Sequence, residues 1–193
     1  MAWTPAYVTT EELQAFVHST EAVDEPLLAA AAEAASRAVD QQCRRQFGTV
    51  DTPVERRYTA HDECGRWVVD IDDLMSTTGL AVTVPAGPIT SFDLEPVNAV
   101  ADGRPWTRLA ITSGPTGAPN EVSVTARWGW TAVPPAVKQA TLLQANRFIH
   151  RRDSPYGIAG SPSDGSELRL LARVDPDVAV MLAPYTRPRW VFA

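Results

Sequence analysis

A chain of 193 residues has room for one domain, or one domain with an appended arm. With 45% hydrophobic and 21% charged residues it is neither disordered in bulk nor fibrous, and roughly 70% of the surface of a chain this long can be buried. A formal charge of −6 argues against a broad basic face built to grip nucleic-acid phosphates.

Other classes fall away on local grounds. No stretch reaches the ~18 apolar residues that a membrane span needs. Met1-Ala2-Trp3-Thr4-Pro5 lacks the basic and apolar regions of a signal peptide. Cys43 and Cys64 are too few for a disulfide scaffold and too far apart for a zinc motif, which points to a reducing cytosol. Sixteen of the 17 basic residues are arginine, a bias that with the many alanines reads as GC-rich coding rather than function.

Thr9 and Glu12 form a capping box, with Val8 and Leu13 placed for a hydrophobic staple, so the first helix is predicted over 9–19. A second helix is predicted over 24–46, with Asp24 as N-cap, Pro26 in its first turn and Gly48 as its stop. Its stripe of Leu28, Ala31, Ala35, Ala38, Val39 and Gln42/Cys43 is built mostly from alanine, which allows close helix packing within or between subunits. From 51 to 130 prolines and glycines separate short β-type runs at 66–71, 80–84, 89–94 and 121–130. This stretch reads as a small antiparallel sheet or set of hairpins inserted between helices. A third long helix is predicted over 134–152, with Leu143 stranded on its polar side. Residues 154–165 read as a loop, 166–174 as a short helix, and a further helix follows Asp175-Pro176 and ends at Pro184. The tail to Ala193 is basic, aromatic and kept extended by its prolines.

Chemistry is sparse. His61-Asp62-Glu63-Cys64 is the one histidine-bearing cluster; His61 and Cys64 have ligand spacing but lack two further ligands, and a polar hairpin turn explains them. Asp70, Asp72 and Asp73 could hold a hard cation, although a solvated turn is the commoner use of such a group. Gly160 to Gly165 lacks the preceding strand and glycine pattern of a phosphate loop. Without a paired acid, base and nucleophile the chain does not read as an enzyme, and no cofactor or metal is implied. In the tail, Trp190, Val191 and Phe192 carry large apolar area that must be covered, either by this domain's own core or by a neighbour.

Six blocks in order carry a family resemblance: YVTTEEL (7–13), AASRAVDQQCRRQFG (34–48), VDIDDL (69–74), GRPWT (103–107), VTARWGWTAVPPAVKQA (124–140) and RFIHRRDSPYG (147–157). Together they span nearly the whole chain. In this order and spacing the chain resembles the head-to-tail adaptor (connector) proteins of tailed bacteriophages, in the actinobacteriophage-type version whose β insertion is longer than in the minimal helical adaptors.

The resemblance implies a virion structural protein without enzymatic activity, made in the host cytoplasm and resident in the neck. It implies a ring, commonly twelvefold, between the portal protein and the next neck component (stopper or tail terminator), with double-stranded DNA passing through the central channel and no membrane contact. The fold expected is α+β: a helical bundle of two to three long helices with an inserted antiparallel β region, forming an adaptor domain over 1–183, and an extended C-terminal docking arm over 184–193. Arg187, Arg189, Trp190, Val191 and Phe192 are the portal-interface candidates, and Ala31, Ala35, Ala38 and Leu143 the subunit-interface candidates. The alternatives are a stopper or tail-completion protein, or a small cytosolic metal-dependent enzyme built on His61 and Cys64.

Overall fold

The computed structural model describes residues 4–17, 24–113, 121–152, 158–159, 168–169 and 175–187. The chain divides into two compact units, one built from residues 47–132 and the other from residues 4–46 together with those from 133 onward. Among the described residues no helix is long and apolar enough to cross a membrane.

The unit of residues 47–132 is two antiparallel sheets of four strands. The first has the order β2 (Ala60–Glu63), β3 (Arg66–Leu74), β7 (Trp106–Ser113), β6 (Ser91–Glu95). The second has the order β1 (Val54–Tyr58), β8 (Val122–Ala126), β4 (Ala81–Val84), β5 (Gly87–Ile89). Val69, Ile71, Leu109 and Ile111 of the first sheet share one core with Val82, Val122, Val124, Ala126 and Trp128 of the second strand set and its exit. The period-two pattern of β8 explains its register: Val122, Val124 and Ala126 are buried, Ser123 and Thr125 only half so.

The other unit is helical. Helix α1 (Thr10–Val17) opens with the reciprocal bonds of the capping box, Thr9 N–H to Glu12 Oε2 at 3.0 Å and Glu12 N–H to Thr9 Oγ1 at 3.2 Å. The Thr9 backbone N–H, and then the Lys138 ammonium at 3.2 Å, hold the Glu12 carboxyl below its ordinary value. Helices α2 (Glu25–Cys43) and α3 (Pro135–Arg152) pack through Leu28, Ala31, Ala32 and Ala35 on one side and Ala145 and Ile149 on the other. Helix α4 (Pro176–Leu182) is capped by Asp175, whose side chain accepts from Asp177 N–H at 2.9 Å.

The architecture corrects the expected bundle. Of the four α-helices described, α1 has 8 residues and α4 has 7, which leaves α2 and α3 as a long pair, while the β region forms two full sheets with a core of their own. Three strands carry no clear sequence signal. β1 (VERRY) and β2 (AHDE) are sheet-edge strands rich in charge, and β7 (WTRLAITS) mixes charged and apolar residues on its way through the sheet.

Helix α2 stops three residues before the expected end. Arg44 adopts a left-handed conformation (φ 55°, ψ 35°) and its N–H returns to Asp40 O, so Gly48 is not the stop. Leu168–Arg169, within the expected short helix, instead pairs as a two-residue strand β10 with β9 (Ile158–Ala159); the rest of that expectation, and the stretch Gly160–Gly165, lie outside the described residues.

Candidate functional site

Within the β unit, three of the sequence blocks converge on one clamp. Gly129 sits at φ 108°, and a Cβ placed there would lie 1.8 Å from Gly48 O, so glycine alone lets the two backbones cross. Trp130 N–H donates to Gly48 O at 2.8 Å, Val50 N–H to Trp128 O at 3.0 Å, and Gly129 N–H to Asp73 O at 2.7 Å. The Trp130 indole N–H reaches the buried Asp73 carboxylate (Oδ2) at 2.8 Å, and the Phe47 and Trp130 rings meet at 5.1 Å with a 52° tilt. Residues 47–50, 73–74 and 128–130 therefore act as one piece. The entry and exit of the β unit are tied together by backbone hydrogen bonds shielded from water, where such bonds are strongest.

Trp128 extends the clamp into the second sheet. Its indole N–H donates to Val54 O at 2.7 Å, and the Arg56 guanidinium lies 5.0 Å from its ring centroid. Arg56 pairs with Asp72 at 2.6 Å, and the Tyr58 hydroxyl donates to the same Asp72 oxygen at 2.9 Å. Burial, and then the Asp72 charge, push the Tyr58 hydroxyl above its ordinary value, which keeps it a donor.

A third cluster spans the first sheet. Half-buried Arg108 on β7 pairs with Glu63 on β2, with Asp70 on β3 at 3.6 Å and with Glu95 on β6 at 3.7 Å, while Arg66 takes Glu95 at 2.8 Å. The aspartates grouped in sequence thus go separate ways: Asp70 to Arg108, Asp72 to Arg56 and Tyr58, Asp73 to Trp130. They lie along a strand rather than in a solvated turn. His61 pairs across to Val68, and exposed Cys64 occupies the hairpin turn at φ 56°. Among the described residues no three His, Cys, Asp or Glu side chains are grouped to hold a metal ion.

The helical unit has its own polar cluster. Tyr7 N–H donates to Ser36 Oγ at 3.0 Å, its hydroxyl donates to Asp40, and Arg37 pairs with Asp40 at 3.2 Å while reaching Pro5 O at 2.9 Å. Burial pushes the Asp40 carboxyl above its ordinary value, against the opposing pull of Tyr7 and Arg37. The folded chain therefore holds this proton more tightly than the unfolded chain. That contribution to stability is complete below the unfolded value near 3.8 and is lost as pH rises through the folded one. Asp40→Asn, which keeps the neutral form at every pH, should gain on the parent protein between about pH 4 and pH 7. Urea midpoints of both proteins at the two pH values check this; a difference that stays flat or reverses removes Asp40 as the source.

The candidate interface residues are placed as follows. Ala31 and Ala35 are 6% and 0% exposed in the chain's own helical core and so cannot offer a surface to a neighbouring subunit. Ala38 and Leu143 are half-buried, and the exposed alanines of α2 are Ala29, Ala30 and Ala34. Leu143 is therefore not the exposed apolar residue that the helical wheel places on the polar side. The expected arm does not begin at 184: Ala183–Tyr185 form a 3₁₀ turn, and Arg187 N–H donates to Cys43 O at 2.9 Å, tying that residue to the end of α2. Arg189, Trp190, Val191 and Phe192 lie outside the described residues. Cys43 itself is buried, its thiol pushed up to about 12, so it is inert as a nucleophile or ligand.

The clamp residues Asp73, Trp128, Gly129 and Trp130 lie in the VDIDDL and VTARWGWTAVPPAVKQA blocks, but nothing in the sequence names their partners. Arg108 had none, because its three carboxylates come from three different strands. No protein-family model matches the chain, and no curated protein matches it.

Proposed function

We propose that this protein is a structural subunit of a tailed-phage neck, a head-to-tail adaptor that binds below the portal and lets double-stranded DNA pass through a ring. The observation that carries this reading is the convergence of the blocks bearing the resemblance. Phe47-Gly48, Asp73-Leu74 and Trp128-Gly129-Trp130, far apart in sequence, are held together by the backbone bonds of one clamp. That three of the six matching blocks meet in one clamp supports reading them as parts of one architecture. The acidic balance suits a channel through which DNA slides without being gripped.

The portal contact is assigned to the tail beyond Arg187, with Arg189, Trp190, Val191 and Phe192 as aromatic and basic anchors. Arg187, a candidate for the same contact, has its backbone N–H bonded to Cys43 O at the end of α2. Co-sedimentation with portal-bearing, DNA-filled heads tests the reading. The full chain should bind in many copies per head and improve DNA retention. A chain ending at Arg187 should unfold at an unchanged urea midpoint yet lose at least tenfold in head binding. Absence of binding by the full chain, to bare portals and to heads carrying other neck proteins alike, overturns the connector reading.

A further inference from the structure

Helix α2 ends on a cation where glycine is the usual residue. Arg44 is exposed and left-handed (φ 55°), and its N–H and that of Arg45 both return to Asp40 O, the latter at 3.3 Å. Glycine reaches that conformation freely, whereas a residue with a Cβ resists it. A cation at this end does complement the last carbonyls of the helix. Yet α2 carries no basic residue in its last turn, where the same interaction would come without the strained backbone.

A second segment meets the same corner. Arg187 N–H donates to Cys43 O at 2.9 Å, which fixes the residue that opens the C-terminal tail beside Arg44. Arg45 and Arg187 are half-buried. Both segments lack acids: the chain has no Asp or Glu between Asp40 and Asp51, and none after Asp177. Asp40, one turn back, is engaged by Arg37 and by the Tyr7 hydroxyl. Glu33 stands midway along α2 and Glu25 at its start, Asp175 and Asp177 lie at the far end of α4, and α3 holds no acid at all. In a chain of formal charge −6, Arg44, Arg45 and Arg187 are thus a local concentration of positive charge.

We infer that the end of α2, with Arg44, Arg45 and the adjoining Arg187, binds a short acidic segment of a partner protein. Guanidinium groups pair carboxylates through parallel hydrogen bonds, and exposed Gln41 and Gln46 add neutral donors beside them. A nucleic acid is the poorer fit. So few cations neutralise too few phosphates to hold it, and a long polyanion also meets the acids that outnumber cations over the chain as a whole. The tail that opens here continues with Trp190, Val191 and Phe192, apolar area that a protein surface covers and a phosphate backbone does not. On the connector reading the acidic segment belongs to the portal, and that assignment alone rests on the reading.

Anisotropy of a fluorescein-labelled decaglutamate peptide, at low salt where exposed charges are least screened, tests the corner without a phage particle. Arg44→Gly should unfold at an equal or higher urea midpoint, because the backbone strain goes, and yet bind the peptide about threefold or more weakly. Arg187→Ala keeps its backbone bond to Cys43 O and should lose a similar factor, and the two together about tenfold or more. A lowered midpoint for Arg44→Gly would make Arg44 a helix stop rather than a binding residue. No binding by the parent chain, binding that the double variant retains, or tighter binding of duplex DNA than of the peptide each overturns the inference. Portal-bearing heads separate it from the connector reading. Peptide binding lost in the variants, with no head binding by the parent chain, keeps the corner and removes the connector reading. Head binding unchanged in the variants keeps the connector reading and removes the portal from this corner.

Discussion

Replacing Gly129 by alanine is expected to cost about 4 kcal/mol and to unfold the β unit first. Two effects add. At φ 108° an L-residue sits in sparsely allowed backbone space, which costs about 1–3 kcal/mol. The new Cβ would also stand 1.8 Å from Gly48 O and 2.9 Å from Thr49 Cα, so the strands must separate. Separation removes the bonds from Trp130 N–H to Gly48 O and from Gly129 N–H to Asp73 O, and strains the indole bond to Asp73. Gly65→Ala is the control that divides the two effects. Gly65 has φ 82° but nothing within 4 Å of the added carbon, so only conformational strain remains, about 1 kcal/mol. Urea unfolding followed by tryptophan fluorescence reads both. If Gly129→Ala unfolds at the same midpoint as Gly65→Ala, the clamp is not a close crossing of backbones.

Arg108→Met should destabilise the β unit by about 2 kcal/mol near neutral pH. The methionine keeps most of the apolar stem, so the loss reports the guanidinium. Glu63, Asp70 and Glu95 then face one another across three strands, with Arg66 left to answer for Glu95 alone. The magnitude lies between an exposed pair, worth under about 1 kcal/mol, and a fully buried one, because the Arg108 side chain is 22% exposed. High salt, which screens these partly exposed charges, should narrow the gap between the variant and the parent protein. Arg108→Lys should recover about half the loss, a point charge being unable to serve three acids through one planar fork. A gap that is the same at low and high salt would assign the effect to packing.

The clamp needs Gly129 and the buried Asp73 carboxylate and so governs whether the β unit exists, whereas exposed positions away from it should be substitutable without loss of fold.

Much of the local structure was legible from sequence because its causes are local. The Thr9–Glu12 capping box, the Asp175-Pro176 start of α4, the proline-led start of α3 and the alternation in β8 each depend on residues within one or two turns of each other. Long-range pairing decided the rest. β1 and β2 look like charged loops because the partners that hold Arg56, Tyr58 and Glu63 lie on β3 and β7, distant in sequence. The long-helix bundle expected from the apolar stripes gave way to two full sheets for the same reason: strand pairing is a tertiary property, and Pro- and Gly-rich stretches hide it. The alanine stripe of α2 showed that something packs closely there, but not what. The fold assigns Ala31 and Ala35 to α3 of the same chain and leaves Ala29, Ala30 and Ala34 outward. Sequence determined where helices begin and which strand faces are apolar, through hydrogen bonds and periodicities a few residues long. Only the tertiary structure decided that Gly48, Asp73 and Gly129 share one clamp and that Arg108 gathers three acids, because those contacts exist only after the intervening chain has folded.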